Sequence, residues 1–268
     1  MIPLLLAGLG ALAGYAVESE VGRFERLAAS ELASQLQGDE KSVKVKADID
    51  GIFGGASGRL NDVSILASDF SVSGLPLFTE PDRAQTGYIR TLRLSLLNFN
   101  LRALGVEELS ATIVDCRYDF GLARKEGKIR LSKSGVGPGY VRMNATALER
   151  FILHKYREIK TVSVKLENNK VYVEGKGDFL LFSTEFYVSA RLVPKNGVEL
   201  WLEDAWMLLD GRLPLDGSGR ILLDSLNPIL DIDADLRLFG AFHISELKSR
   251  NGLLELWGEA RIPTDPRR

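Results

Sequence analysis

From residue 43 onward the chain is written in period two, and this alternation constrains the fold more than any other feature. Val43-Lys44-Val45-Lys46-Ala47-Asp48-Ile49 and Leu92-Arg93-Leu94-Ser95-Leu96 set apolar against polar residues at every second position. The runs Val63 to Val72, Leu109 to Phe120 and Lys128 to Leu131 follow the same grammar. Successive side chains of a strand point to opposite faces, so these segments form sheets with one apolar and one wet face. That pattern predicts antiparallel pairing rather than βαβ units. Later in the chain, Val162-Ser163-Val164-Lys165-Leu166 leads through Asn168-Asn169, a hairpin turn, into Val171-Tyr172-Val173-Glu174. Phe179 to Leu192, Val198 to Leu209, Leu236 to Leu247 and Leu253 to Ile262 read as further strands, with Asn251-Gly252 in the last hairpin loop.

Two segments depart from period two. Between Glu20 and Gln37, Val21, Phe24, Leu27, Ala28, Leu32 and Leu36 recur at helical steps, and Gly38 is placed to cap the end. After a flexible break at Gly135 to Gly139, Thr146-Ala147-Leu148-Glu149 has the form of a capping box opening a second helix, with Leu148, Phe151 and Ile152 on its apolar face. The order is helix, strands, helix, strands. It predicts an α+β fold over residues 20–263, as a single domain or as two related halves, 20–134 and 140–263. Two helices cannot cover so many strands. Either the sheet rolls onto itself, or a strongly curved antiparallel sheet wraps a helix and leaves an apolar channel. Aromatic residues such as Phe186, Tyr187, Trp201 and Trp206 then line that space or pack the core.

Composition narrows the function. The chain has 268 residues and a formal net charge of -2, so no basic field recruits nucleic acid, and contact with a membrane has to be local and apolar. Cys116 is the single cysteine, which excludes an intramolecular disulfide and a thiolate zinc site; in an alternating stretch it reads as a small core residue. Met1 to Ala16 carries no charged side chain and has small residues at Ala11 and Ala13, and again at Gly14 and Ala16. It reads as a secretory signal peptide or an N-terminal anchor, either of which places the chain outside the cytoplasm, in the periplasm or cell envelope.

Catalytic patterns are missing. The two histidines, His154 and His243, stand apart from one another and from any ligand spacing. Ser245-Glu246-Leu247-Lys248 has the Ser-x-x-Lys spacing, but on a strand those two side chains face opposite ways. Asp231-Ile232-Asp233-Ala234-Asp235 puts three carboxylates on one strand face, and no glycine or glutamate completes a calcium loop. No nucleophile elbow or phosphate loop is present. These readings predict a non-catalytic binding protein with no cofactor and no metal.

The chain also resembles the LmeA family of phospholipid-binding cell-envelope proteins, over about Glu20 to Pro263. The resemblance rests on the opening helix followed by the Val43 to Asp50 strand, on the pair Leu60 to Val72 and Ile89 to Leu104, and on the close. There Leu226-Asn227-Pro228-Ile229 precedes Leu236 to Leu247 and Asn251-Gly252-Leu253-Leu254-Glu255-Leu256-Trp257-Gly258. Gly51-Ile52-Phe53-Gly54 stands where the family carries a Gly-Pro element. The resemblance implies a tubular lipid-binding (TULIP-like) fold in a bacterial envelope protein, and phospholipid acyl chains held in an apolar groove without hydrolysis. The lining expected on this basis is Phe24, Leu27 and Leu32 from the first helix, Phe151 and Ile152 from the second, and Phe179, Phe182 and Phe186 from the sheet. Phospholipid and a membrane surface are the expected partners. Two other readings stand beside this one: an envelope scaffold whose core is filled by its own side chains, and a lipid or glycan hydrolase assembled only in three dimensions.

Overall fold

The computed structural model describes residues 21–50, 57–179, 182–214, 217–264 and 266. Residues 1–16, read above as a signal peptide or anchor, and residues 51–54 lie outside them. The fold is α+β and strand-rich, with a strongly curled sheet forming a half-barrel. Helix α1 spans residues 21–35. Four long strands follow: β1 Ser42–Ile49, β2 Arg59–Val72, β3 Gly87–Leu101 and β4 Leu104–Tyr118. Then come α2 Phe120–Glu126, β5 Leu131–Lys133, β6 Gly137–Asn144 and α3 Ala145–Lys155. Strands β7 Ile159–Glu167, β8 Lys170–Phe179, β9 Phe182–Lys195 and β10 Glu199–Leu209 lead to α4 Ser218–Leu226 and β11 Leu230–Asp231. The chain closes with β12 Phe242–Arg250 and β13 Leu253–Ala260.

Two sheets result. The larger runs β1-β2-β3-β4-β6-β13-β12 with β5 beside β4, and the smaller runs β11-β10-β9-β8-β7. The closing hairpin therefore joins strands from the front of the chain, and the sheets do not divide at the boundary between 20–134 and 140–263. Among the named strands pairing is antiparallel except that β2 and β3 run parallel. Alternation is the same in either direction, so it could not reveal this. Parallel neighbours need a crossover of about a dozen residues or more, and residues 73–86 supply it, carrying Leu75, Pro76, Leu77 and Phe78 back over the sheet.

The curl has a visible cause. On β2 the buried positions step from Leu60 to Val63 and from Ala67 to Phe70, three residues instead of two. On β3 they step from Ile89 to Leu92, and on β4 from Ile113 to Cys116. Two creases thus cross the three strands, one through Asn61, Arg90 and Asp115, the other through Asp69, Asn98 and Glu107, and the paired registers skip there together. Asp69, Asn98 and Asp115 adopt positive φ, which short polar side chains tolerate best. Irregularities of this kind bend strands and increase their twist.

Local corrections follow the same logic. Asn144, not Thr146, caps α3: its side chain accepts the N–H of Ala147 at 2.9 Å, while the Glu149 carboxylate takes the N–H of Val164 on β7 at 2.8 Å. Gly135 to Gly139 is no flexible break. A Cβ at Gly137 would lie 1.7 Å from the Thr112 carbonyl, so β6 approaches β4 as only glycine allows. α1 stops before Gln37, which bridges to Ser71, so Gly38 is not its cap. The short α2 escapes period counting but is bracketed by the Asp119 cap and by Gly127 in the left-handed conformation. The turns at Asn168-Asn169 and Asn251-Gly252 form as expected, all four residues at positive φ. Cys116 is fully buried, and burial pushes its thiol up from the ordinary value, which makes it a poor nucleophile.

Candidate functional site

Helix α1 lies over the concave face of the larger sheet, anchored to its outermost strand. Glu25 accepts the N–H of Ala47 at 2.9 Å and pairs with Lys46 at 3.2 Å, so one carboxylate satisfies an edge amide of β1. The helix turns Ala28 and Leu32 inward, and Leu36 follows just past its end. The creased sheet bends away beneath them, and the space between is not filled.

Two hollows occupy it, with Leu32, Ile65 and Pro76 lining both. The inner hollow has a volume of about 140 Å³ and no polar side chain in its wall. Leu36, just past α1, Ala67 and Phe70 of β2, Leu96 and Phe99 of β3 and Val106 of β4 contribute. Phe70 and Phe99 stack at 5.0 Å, a flat aromatic floor across the parallel pair. Leu75 and Pro76 of the crossover, both partly exposed, line the hollow as well. The outer hollow, about 200 Å³, begins with Val63, Ile89 and Leu92 and ends at Glu31, Gln35, Glu80 and Arg130. Gln35 is exposed and Arg130 partly so, which makes this the end that meets solvent. There Arg130 pairs with Glu31 at 2.6 Å and with Glu80 at 3.6 Å, and Arg83 pairs with the other oxygen of Glu80. The groove is thus graded from a dry apolar interior to a charged but balanced mouth.

The residues expected at the site divide between two places. Leu32 lines both hollows. Phe24 packs on the core without lining either, and Leu27 is exposed on one side and touches the Gly127 turn on the other. Phe151 and Ile152 face a different layer. With Leu148 they sit on Val164, Val171 and Val173 of the smaller sheet, around a space of only about 20 Å³, room for about one water. Phe186 is buried in that sheet against Gly175. The side chains of Phe179 and Phe182 lie outside the described residues. Tyr187 and Trp206 meet each other on the outer face of the smaller sheet, ring centres 5.3 Å apart, rather than in a channel. Sequence reading missed Arg130, Glu31 and Glu80, and most of the sheet wall. The apolar run Leu75-Pro76-Leu77-Phe78 between two strands was the signal available, since a loop of that composition has to be covered.

The polar candidates have structural occupations. Asp231 ends β11 and Asp233 and Asp235 lie in the turn that follows, so the three do not share a strand face. Asp231 accepts the N–H groups of Asp233 and Ala234, Asp233 accepts that of Gly240, and Asp235 accepts that of Asp231 and binds the Lys155 ammonium at 2.7 Å. Ser245 sits at a bulge and donates to the Trp257 carbonyl, while Lys248 pairs with Glu246 at 2.7 Å. His243 lies under the β9–β10 turn, where a side chain on Gly197 would collide with its ring, and His154 is exposed near the end of α3. Among the described residues no group of three or more His, Cys, Asp or Glu is placed to hold a metal ion, and no helix is long and apolar enough to cross a membrane.

Comparison with protein-family models, with curated proteins and with solved structures gave no match.

Proposed function

We propose that the chain is a non-catalytic lipid-binding protein that takes an acyl chain of a phospholipid into the groove between α1 and the creased sheet. The observation that carries this reading is the inner hollow whose wall is wholly apolar. An apolar cavity of about 150 Å³ is known to admit a ligand of benzene size, the size class of the inner hollow, and the outer hollow of about 200 Å³ adjoins it along Leu32, Ile65 and Pro76. Each methylene transferred from water into such a space contributes about 0.8 kcal/mol, so a tail is held without a charged anchor. The modest volume suits one chain at a time. The resemblance to the LmeA family, a tubular lipid-binding arrangement and a place in the cell envelope all belong to this proposal, with a membrane surface as the source of the lipid.

Mass spectrometry of material extracted from the purified protein tests the reading. Phospholipid recovered in stoichiometric amount supports a carrier or sensor. A folded protein that is free of lipid and takes up none from vesicles favours a scaffold with a self-filled core.

A further inference from the structure

The mouth of the groove carries its own chemistry. Arg130 stands between Glu31 and Glu80, and Glu80 is shared with Arg83, so two cations and two anions alternate in one row. Glu80 is the most buried of the four, its side chain 11% exposed; Arg130 is 30% exposed and Glu31 23%. The Arg130 guanidinium donates one hydrogen bond, from Nη1 to the Ile129 carbonyl at 2.8 Å. The same nitrogen lies 2.6 Å from Glu31 and Nε faces Glu80 at 3.6 Å, so Nη2 is the edge left to meet an incoming oxygen.

The balance of the row decides what can dock on it. A fatty-acid carboxylate arriving at Arg130 would displace Glu31 and leave that half-buried anion without a counterion, which is costly away from bulk water. A head group carrying both signs can exchange partners ion for ion: its phosphate takes the guanidinium edge while its ammonium takes the released carboxylate. Leu32, Ile65 and Pro76 line both hollows, so a tail that passes Leu32 into the inner hollow has its head on the side of this row.

We infer that Glu31, Arg130, Glu80 and Arg83 form a head-group subsite selecting zwitterionic phosphate–amine amphiphiles over anionic ones, a conclusion that rests on the groove reading above. Selectivity is set by charge balance at the mouth and affinity by the apolar interior.

The test is displacement of N-phenyl-1-naphthylamine from the whole chain by two single-chain competitors of equal tail length, lysophosphatidylcholine and palmitate. In the unaltered protein, lysophosphatidylcholine competes about tenfold better, the scale of one charge-assisted hydrogen bond. Arg130→Gln removes that advantage. Glu31→Gln leaves the row with surplus positive charge and moves the preference toward palmitate, a change of order that a purely structural role for Glu31 would not produce. Gln35→Lys adds a cation at an exposed position without touching the network and moves the preference the same way, so the inference stays testable if Arg130→Gln fails to fold. Equal competition in the unaltered protein, or an unchanged order in both Glu31→Gln and Gln35→Lys, overturns the subsite while leaving the groove standing. A dye that does not bind at all overturns the groove reading, and the subsite falls with it.

Discussion

Helices α1 and α3 each pack on a sheet, and the two packings differ. Under α3 the smaller sheet presents Val164, Val171, Val173 and Leu192, which meet Leu148, Phe151 and Ile152 and leave room for about one water. Under α1 the larger sheet is creased along two lines and falls away from a helix whose most buried residue there is Ala28. Interiors are normally packed to the density of organic crystals, so α3 shows the ordinary outcome and α1 the exception. The same two building blocks give a core in one place and a groove in the other, and sheet curvature makes the difference.

The comparison can be broken most forcefully at Phe151. Phe151→Ala should cost about 3–5 kcal/mol, read as a lowered denaturation midpoint, while the folded fraction still takes up an apolar dye. Loss of dye uptake by the folded variant would move the site to the smaller sheet. The alkaline limb of stability probes each region once. Burial pushes the Tyr118 phenol up in the larger sheet, where it donates to the Gly58 carbonyl at 3.1 Å; burial, then the nearby Asp235, pushes Tyr156 up after α3. A folded-state value above the ordinary 10.0 means the fold holds those protons more tightly than the unfolded chain does. Their contribution is complete below pH 10.0 and is lost as the pH rises toward the folded-state values. Ultraviolet titration should show both phenols ionising only with alkaline unfolding, and either one titrating in the folded protein would show its region open to water.

Ala67→Leu sharpens the contrast from the other side. In a real hollow the added carbons gain about 0.5–2 kcal/mol and abolish dye uptake. In a filled core the same change costs about 1–3 kcal/mol. The smallest effects concern the start of α3. Asn144→Ala should cost about 1 kcal/mol as a lost cap, and Thr146→Ala less than about 0.5 kcal/mol, both measured by thermal unfolding.

Much of the fold could be read before any coordinates. Most strand segments, the two principal helices and the hairpins at Asn168-Asn169 and Asn251-Gly252 follow from period and turn chemistry. Residues 128–130, however, are irregular and residues 236–241 form turns ahead of β12, so apolar spacing there did not mean strand. The creases were only partly legible. Ser68-Asp69-Phe70 and Asn98-Phe99 break the alternation, but a strand carrying its bulge in register with its neighbours still looks like a strand. The parallel pair was hidden for the same reason, since alternation carries no direction. The site was less legible than the fold. Leu32 was found because helical period selects one face, whereas Phe151 and Ile152 were equally apolar and belong to the filled layer. Arg130 and Glu31 meet only through tertiary folding, and no spacing along the chain announces them.

The proposed function places a lipid tail between α1 and the creased sheet. Photo-crosslinking with a phospholipid carrying a diazirine in its acyl chain, followed by peptide mapping, tests it most directly. Label on the peptides containing Leu32, Ile65 and Leu96 is the expected result. Label confined to the α3 and β8 peptides containing Phe151 and Val173, or no label on a folded protein, would contradict it.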